Sequence, residues 1–337
     1  MRNSSKPPRR WALRLWINRI RSCHTLKGRL FAAMIPAMGR ILPPIMLCLV
    51  LLVSCATAAD FQQCIEPSYS DAKVSYLGPE GTYTQEACQL FFGRQGEYIP
   101  YATVSDAVRA LVDGETDYAV IPQENTIGGA VIDYVDTLIA QTEVSVVGEI
   151  ELPINQNLLA LPGTGLGEIK TVYSHIQGIT QGRQWLEENL PWADVVEVSS
   201  TAQGARMVSE TQDGSCAAIA SAACADVYNL EILASAIQNN SSNVTRFYVL
   251  SLEPAGTCAS DRLAFIASGS AENLPALLSI LEKRGMTLIA IHDRPLKTVL
   301  GEYNYVLECS GCDYDDYQRL AEAGLFSLRF LGCFPAI

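Results

Sequence analysis

Tyr118-Ala119-Val120-Ile121-Pro122-Gln123-Glu124-Asn125-Thr126-Ile127-Gly128-Gly129 holds the handover that decides the fold. The apolar run Tyr118 to Pro122 predicts a buried strand, polar residues and glycines follow, and a helix is expected from about Gly129 to Ala140. A strand that passes through a polar loop into a helix is the repeating unit of an open α/β sheet. Ligands in such sheets bind beyond the carboxyl ends of strands, against helix N-termini.

The same grammar extends outward from this stretch. Val74 to Leu77 predicts a strand and Thr82 to Phe92 a helix, joined by Gly78-Pro79-Glu80-Gly81. Val144 to Ile154, Thr171 to Ser174, Val195 to Val198 and Ala217 to Ala220 read as strands, and a helix is expected after each of the last three. Leu230 to Ile237 and Arg246 to Leu252 read as closing strands. Four handovers carry polar residues of interest: Gly78 to Thr84, Pro122 to Gly129, Ser174-His175-Ile176-Gln177 leading to Gln181, and Ser199-Ser200-Thr201-Ala202. Ser, Thr, Asn and Gly also serve as ordinary N-caps and turns at such places. Several in one domain point to a convergent pocket. His175, one of three histidines in the chain, suits a cation for a carboxylate, a general acid or a packed hydrogen-bonding residue.

Asn243-Val244-Thr245-Arg246-Phe247 adds a hydroxyl donor beside a permanent cation, bracketed by apolar residues. Expelling a hydroxyl from a small carboxylate needs a donor for the leaving oxygen, and a guanidinium can grip the carboxylate. No GxGxxG, no glycine-rich phosphate loop with Lys and no GxSxG elbow appears, so neither a nucleotide nor a metal cofactor is indicated. The single CxxC, Cys309-Ser310-Gly311-Cys312, has no second pair and reads as a turn between a strand and a helix.

Charge divides the chain of 337 residues unevenly. Residues 1–59 hold ten Lys/Arg and no Asp or Glu, and the remainder sets 14 basic against 36 acidic residues. A body so acidic argues against nucleic-acid binding, which requires basic surface. An anionic ligand would need local cations or helix N-termini working against that field.

The basic leader runs into the apolar Ile41 to Val53 and then Ser54-Cys55-Ala56-Thr57-Ala58-Ala59, the pattern of an export signal. The apolar run is shorter than the ~20 residues of a spanning helix. Cleavage after Ala56-Thr57-Ala58 and lipidation at Cys55 are both compatible with it, and Met38 would start a more compact signal. A bacterial periplasm is the expected destination and an organelle such as a plastid the alternative. Eight cysteines beyond residue 60 would allow disulfides in an oxidising compartment, with no pairing legible. Asn243-Val244-Thr245 is also a glycosylation sequon, and a glycan there would sit against the candidate donor.

Taken in order, GPEGTYT, PQENTIGGAV, YSHIQ with Gln181, SSTA and NVTRF closely resemble prephenate dehydratase, and the resemblance covers residues 74–252. It implies two α/β lobes with the active site in the cleft between them. It also implies cofactor-free conversion of prephenate to phenylpyruvate with loss of carbon dioxide and water; plant-type relatives act on arogenate and yield phenylalanine. By resemblance Thr245 stands at the position of the proton donor. Arg246 would pair with a substrate carboxylate. Asn125, Thr126, Ser174, Gln181, Ser200 and Thr201 would hydrogen-bond the substrate, Asn243 and Phe247 would also bind it, and Glu124 would brace the cleft. Thr126 replaces the usual Ser, Gly182 a common Cys, and Asn239 an Asp. A non-catalytic exported solute-binding protein of similar two-lobed shape is the rival class.

Residues 253–261 read as a linker. Beyond it Leu263 to Ala267, Leu274 to Arg284, Leu288 to His292, Tyr303 to Glu308, Tyr314 to Ala323 and Leu328 to Gly332 alternate as βαββαβ, a ferredoxin-like order over 262–334. This resembles the ACT regulatory domain of many prephenate dehydratases, where phenylalanine binds between protomers of a dimer or tetramer. Arg294-Pro295 and Ala276-Leu277 match parts of its two effector motifs, but His292-Asp293 replace Glu-Ser and Pro275 replaces a glycine. Phenylalanine control and an ACT module kept for dimerisation both remain open on these residues.

Overall fold

The computed structural model describes residues 72–254 and 262–337. The leader, the candidate lipidation site Cys55 and most of the expected linker lie outside these residues. The first lobe opens with β1 (Lys73–Leu77), α1 (Tyr83–Phe92), β2 (Glu97–Tyr101), α2 (Val104–Val112), β3 (Tyr118–Asn125), β4 (Gly129–Ala130), α3 (Ile132–Ala140) and β5 (Ser145–Pro153). The second lobe follows with β6 (Asn157–Ala160), β7 (Thr171–Ser174), α4 (Ile176–Asn189), β8 (Asp194–Glu197), α5 (Thr201–Thr211), β9 (Cys216–Ala220), α6 (Ala223–Tyr228) and β10 (Glu231–Ala234). The chain then returns through β11 (Val244–Ser251), which inserts antiparallel between β3 and β5 in the order β2-β1-β3-β11-β5. The second sheet runs β10-β6-β9-β7-β8.

Two crossovers therefore join the lobes, Pro153 to Asn157 outward and Ala234 to Val244 back. They are tied to each other. Ile154 N–H donates to Asn243 O at 2.8 Å, Ile237 N–H to Gln156 O at 2.8 Å and Gln156 N–H to Gln238 Oε1 at 2.9 Å. Thr245 follows immediately on the return, so the candidate donor sits where the lobes meet.

The sequence reading placed a helix start at Gly129. Instead Gly129, at φ 75°, and Ala130 form β4 on the end of β3, and α3 begins at Ile132. The strand before it is also longer, reaching Asn125. Strand β2, helix α2 and strand β6 were missed. Helix α2 was legible: Thr103 accepts from Asp106 N–H as its N-cap, and Val104, Ala107, Val108 and Leu111 recur at helical spacing and are buried.

The remaining residues form β12 (Arg262–Ser270), α7 (Leu274–Lys283), β13 (Thr287–Pro295), β14 (Glu302–Ser310), α8 (Tyr314–Glu322) and β15 (Ser327–Phe334). Their sheet runs β13-β14-β12-β15, antiparallel throughout, so the expected βαββαβ order is present. One sheet face packs under α7 and α8 around Leu263, Phe265, Leu277 and Leu307. The other places Ala264, Ile266, Val306, Leu331 and Phe334 in one cluster with Tyr134, Leu138 and Tyr248 of the first lobe. This C-terminal module shares a core with the lobe instead of hanging from it. At the seam Gly332 is required, because a Cβ there would lie 2.0 Å from Val146 O. Among the described residues Cys88, Cys216, Cys224, Cys309 and Cys312 are free thiols, and no helix is long and apolar enough to cross a membrane.

Candidate active site

The carboxyl ends of β1, β3, β7 and β8 open on the interlobe cleft, a cavity of about 460 Å³. Four helices begin on its wall, for Thr82, Val131, His175 and Ser200 are the N-caps of α1, α3, α4 and α5. His175 Nδ1 accepts from Gln177 N–H at 3.3 Å and Ser200 Oγ from Gln203 N–H at 3.0 Å. Thr82 and Val131 make no side-chain cap, so the first N–H groups of α1 and α3 are left for other partners. Among the described residues no Asp, Glu, Lys or Arg lines the cavity. The helix N-termini on its wall carry partial positive charge that can attract an anion.

Thr245 is buried on the cleft wall. Asn125 Nδ2 donates to its Oγ1 at 2.8 Å and to Asn243 Oδ1, also at 2.8 Å. The orientation of the Asn125 amide is set by its oxygen, which accepts from Ile127 N–H at 3.0 Å and Gly128 N–H at 2.9 Å. The Thr245 oxygen therefore receives a hydrogen bond, and its own hydrogen is left to donate into the cleft.

Across the cavity a chain of polar side chains links the lobes. Tyr83 O–H lies 3.2 Å from Gln156 Oε1, and Gln156 Nε2 donates to Gln181 Oε1 at 2.9 Å. Thr82, Thr84 and Gln177 also reach the wall. Gln156 was missed by the sequence reading. It lies on a crossover with no turn or cap signature, and only the pairing of the two crossovers places it.

Asn125, Gln181, Ser200, Thr201, Thr245 and Phe247 are brought together on the cleft, with His175 beside them; Glu124, Thr126, Ser174, Asn243 and Arg246 are not. Ser174 is fully buried and donates to Ile219 O at 2.7 Å, pinning β7 to β9. Thr126 donates to Ser242 O at 3.2 Å and accepts from Val244 N–H at 3.0 Å, which latches the return crossover. Asn243 sits behind Asn125, 1 % exposed, so its sequon is inaccessible in the folded chain.

Arg246 requires a larger correction. Alternation along β11 turns Thr245 and Phe247 to the cleft and Arg246 and Tyr248 to the opposite face. There the guanidinium bonds Glu149 and Glu308 and lies 3.4 Å from Glu124. Burial alone would lower its pKa, but the Glu149 bond and the Glu308 and Glu149 charges raise it, so the cation is permanent and engaged. It is not free to grip a substrate carboxylate. In the C-terminal module Leu277 is core, Ala276 and Pro295 are exposed, and Arg294 pairs with Asp136 of α3 through Nε at 2.6 Å and Nη2 at 2.9 Å.

Comparison with known proteins agrees with this architecture. The sequence model of prephenate dehydratase matches residues 74–255. The chain belongs to the prephenate dehydratase family. A bifunctional chorismate mutase/prephenate dehydratase of Neisseria gonorrhoeae is 35 % identical over 269 residues, covering 78 % of this chain and 74 % of that protein. A prephenate dehydratase of Lactococcus lactis is 34 % identical, covering 70 % of this chain and 86 % of its own length. The prephenate dehydratase structure from Arthrobacter aurescens, a complex with L-Phe, superposes with a TM-score of 0.71 at 32 % identity, covering 78 % of this chain and 90 % of that one. As a prephenate dehydratase family member, the chain has its two lobes and interlobe cleft where the motifs implied them.

Proposed function

We propose that the cleft converts prephenate to phenylpyruvate, with Thr245 donating to the departing hydroxyl. The single observation that carries this is the direction of the Asn125–Thr245 hydrogen bond, which leaves the Thr245 hydrogen aimed into an uncharged cavity. The bond between the ring and its carboxylate breaks and releases carbon dioxide. The electron pair enters the ring, and the carbon–oxygen bond to the ring hydroxyl breaks as that oxygen takes a proton and leaves as water. One proton is consumed, drawn finally from solvent. A threonine is a weak acid in water, but the Asn125 N–H offsets negative charge growing on its oxygen.

The uncharged lining suits this chemistry. A cation pressed on the departing carboxylate would stabilise the ground state more than a transition state in which that charge disperses. Helix N-termini can hold the second, retained carboxylate without such a cation. Leu77, Val131, Ile154 and Phe247 supply an apolar wall for the ring. The test is an assay of the purified full chain on prephenate and arogenate side by side, following phenylpyruvate and phenylalanine. We expect phenylpyruvate from prephenate; faster turnover of arogenate would reassign the substrate, and turnover of neither would overturn the reading.

The C-terminal module is assigned here as an ACT domain, supported by its βαββαβ order and sheet order. Phenylalanine as effector and a homo-oligomeric assembly belong to the same proposal, and calorimetry of phenylalanine with the full chain tests the first. We likewise assign residues 1–59 to export toward a bacterial envelope, supported by their charge and apolar pattern. The buried Asn243 sequon favours that over a glycosylating secretory route.

A further inference from the structure

Glu308 is a carboxylate of the C-terminal module, 1 % exposed, and its contacts lie directly behind the proposed donor. It accepts from Arg246 Nη2, from Tyr248 O–H at 2.6 Å and from Gln123 Nε2 at 3.0 Å, and Arg262 Nε lies 3.1 Å away. Arg246 and Tyr248 flank Phe247 on β11, and Arg246 is the residue after Thr245. Gln123 lies two residues before Asn125 on β3. One buried carboxylate from another module thus holds both strands that present the Asn125–Thr245 pair.

The register at this point explains why such a hold matters. Thr245 faces Asn125 and Arg246 faces Glu124, but Phe247 faces Pro122, so Gln123 is the extra residue of a bulge in β3. The bulge lets Asn125 and Pro122 both face the cleft while Gln123 and Glu124 turn to the opposite side. Without it, strict alternation would put Asn125 and Gln123 on one face. Glu308 bonds the bulged residue and the two outward-facing residues of the partner strand.

Resting on the functional reading above, we propose that Glu308 is a positioning residue for the reaction: it fixes the β3 bulge against β11 and so sets the Asn125–Thr245 geometry from the C-terminal module. It acts through Gln123, Arg246 and Tyr248 and touches no substrate. The module then contributes to turnover through this contact, quite apart from any effector it binds.

The experiment compares the full chain with Glu308→Gln and with Asp136→Asn, which breaks the Arg294 pair at the same module boundary but touches neither strand. Glu308→Gln is expected to lower kcat for prephenate by about 10- to 100-fold, the scale of a misplacement of roughly 1 Å, with KM within about twofold. Peptides spanning residues 119–126 and 243–248 should exchange amide hydrogen faster in that variant, whereas Asp136→Asn should keep both kcat and exchange. Should Glu308→Gln fail to fold, Tyr248→Phe removes one of the three bonds and is expected to lower kcat about threefold or more. Wild-type kcat in Glu308→Gln, or equal losses in Asp136→Asn, would overturn the proposal. A wild-type chain inactive on both substrates would overturn the functional reading instead, and the exchange comparison alone would then decide the role of Glu308.

Discussion

Asn125 Nδ2 and Thr245 Oγ1 stand 2.8 Å apart, and the amide is the donor because its oxygen is already held by two backbone N–H groups. This direction makes a buried threonine a donor toward the cleft. It is a property of the pair, since either residue alone could be hydrogen-bonded the other way.

Asn125→Asp tests that direction with little change of shape. A carboxylate would accept the Thr245 hydrogen and withdraw it from the cleft. We expect kcat to fall by about 10²-fold or more, on the scale of losing one positioned donor, with the fold retained. Turnover within a few-fold of wild type would contradict the assigned direction.

Ser200→Asp tests whether helix N-termini hold an anion. Aspartate is as good an N-cap as serine, so α5 should persist. A new carboxylate on the cleft wall should repel a dicarboxylate by on the order of 2 kcal/mol, about 30-fold in KM. An unchanged KM, with unchanged melting temperature, would place the substrate elsewhere.

Arg246→Met separates the sequence reading of this residue from its place in the structure. Its loss leaves Glu149 and Glu308 buried without their main cation, a cost of about 3–5 kcal/mol. Stability and kcat should fall while KM for prephenate stays within about threefold. A tenfold rise in KM with stability retained would restore Arg246 to the substrate.

Period and position explain what was legible. The strand-to-helix handovers announced the α/β lobes, and their polar residues at helix starts predicted Ser200 and Thr201 on the cleft. The motif containing Arg246 named the right strand but not its face: Thr245 and Arg246 are adjacent and so must point oppositely. Which of them met the cleft depended on the register of β11 between its neighbours and on the carboxylate at position 308 that receives Arg246, neither of which has a local signature. Ser174 and Thr126 failed for a related reason. A hydroxyl at a strand end can serve the ligand or the backbone, and only the position of Ile219 O and Ser242 O shows that these two serve the backbone.

Glu149 gives a pH test of the buried cluster. Burial, reinforced by the Glu308 carboxylate and opposed by Arg246, raises its pKa from 4.5 to about 7. The folded state then binds a proton that the unfolded state has released. Its contribution to stability is complete below about 4.5 and is lost as pH rises through about 7. The stability of wild type minus that of Glu149→Gln, measured by denaturant unfolding, should therefore fall between pH 5 and pH 8 by on the order of 1–3 kcal/mol. A difference that does not change with pH would contradict the assignment.

The most direct test of the central claim is turnover of saturating prephenate by Thr245→Val, which keeps the volume of the side chain and removes its hydroxyl. The account predicts phenylpyruvate formation slowed by about 10²- to 10⁴-fold, the range for loss of a positioned proton donor, with KM little changed. A Thr245→Val protein that forms phenylpyruvate at the wild-type rate would contradict it.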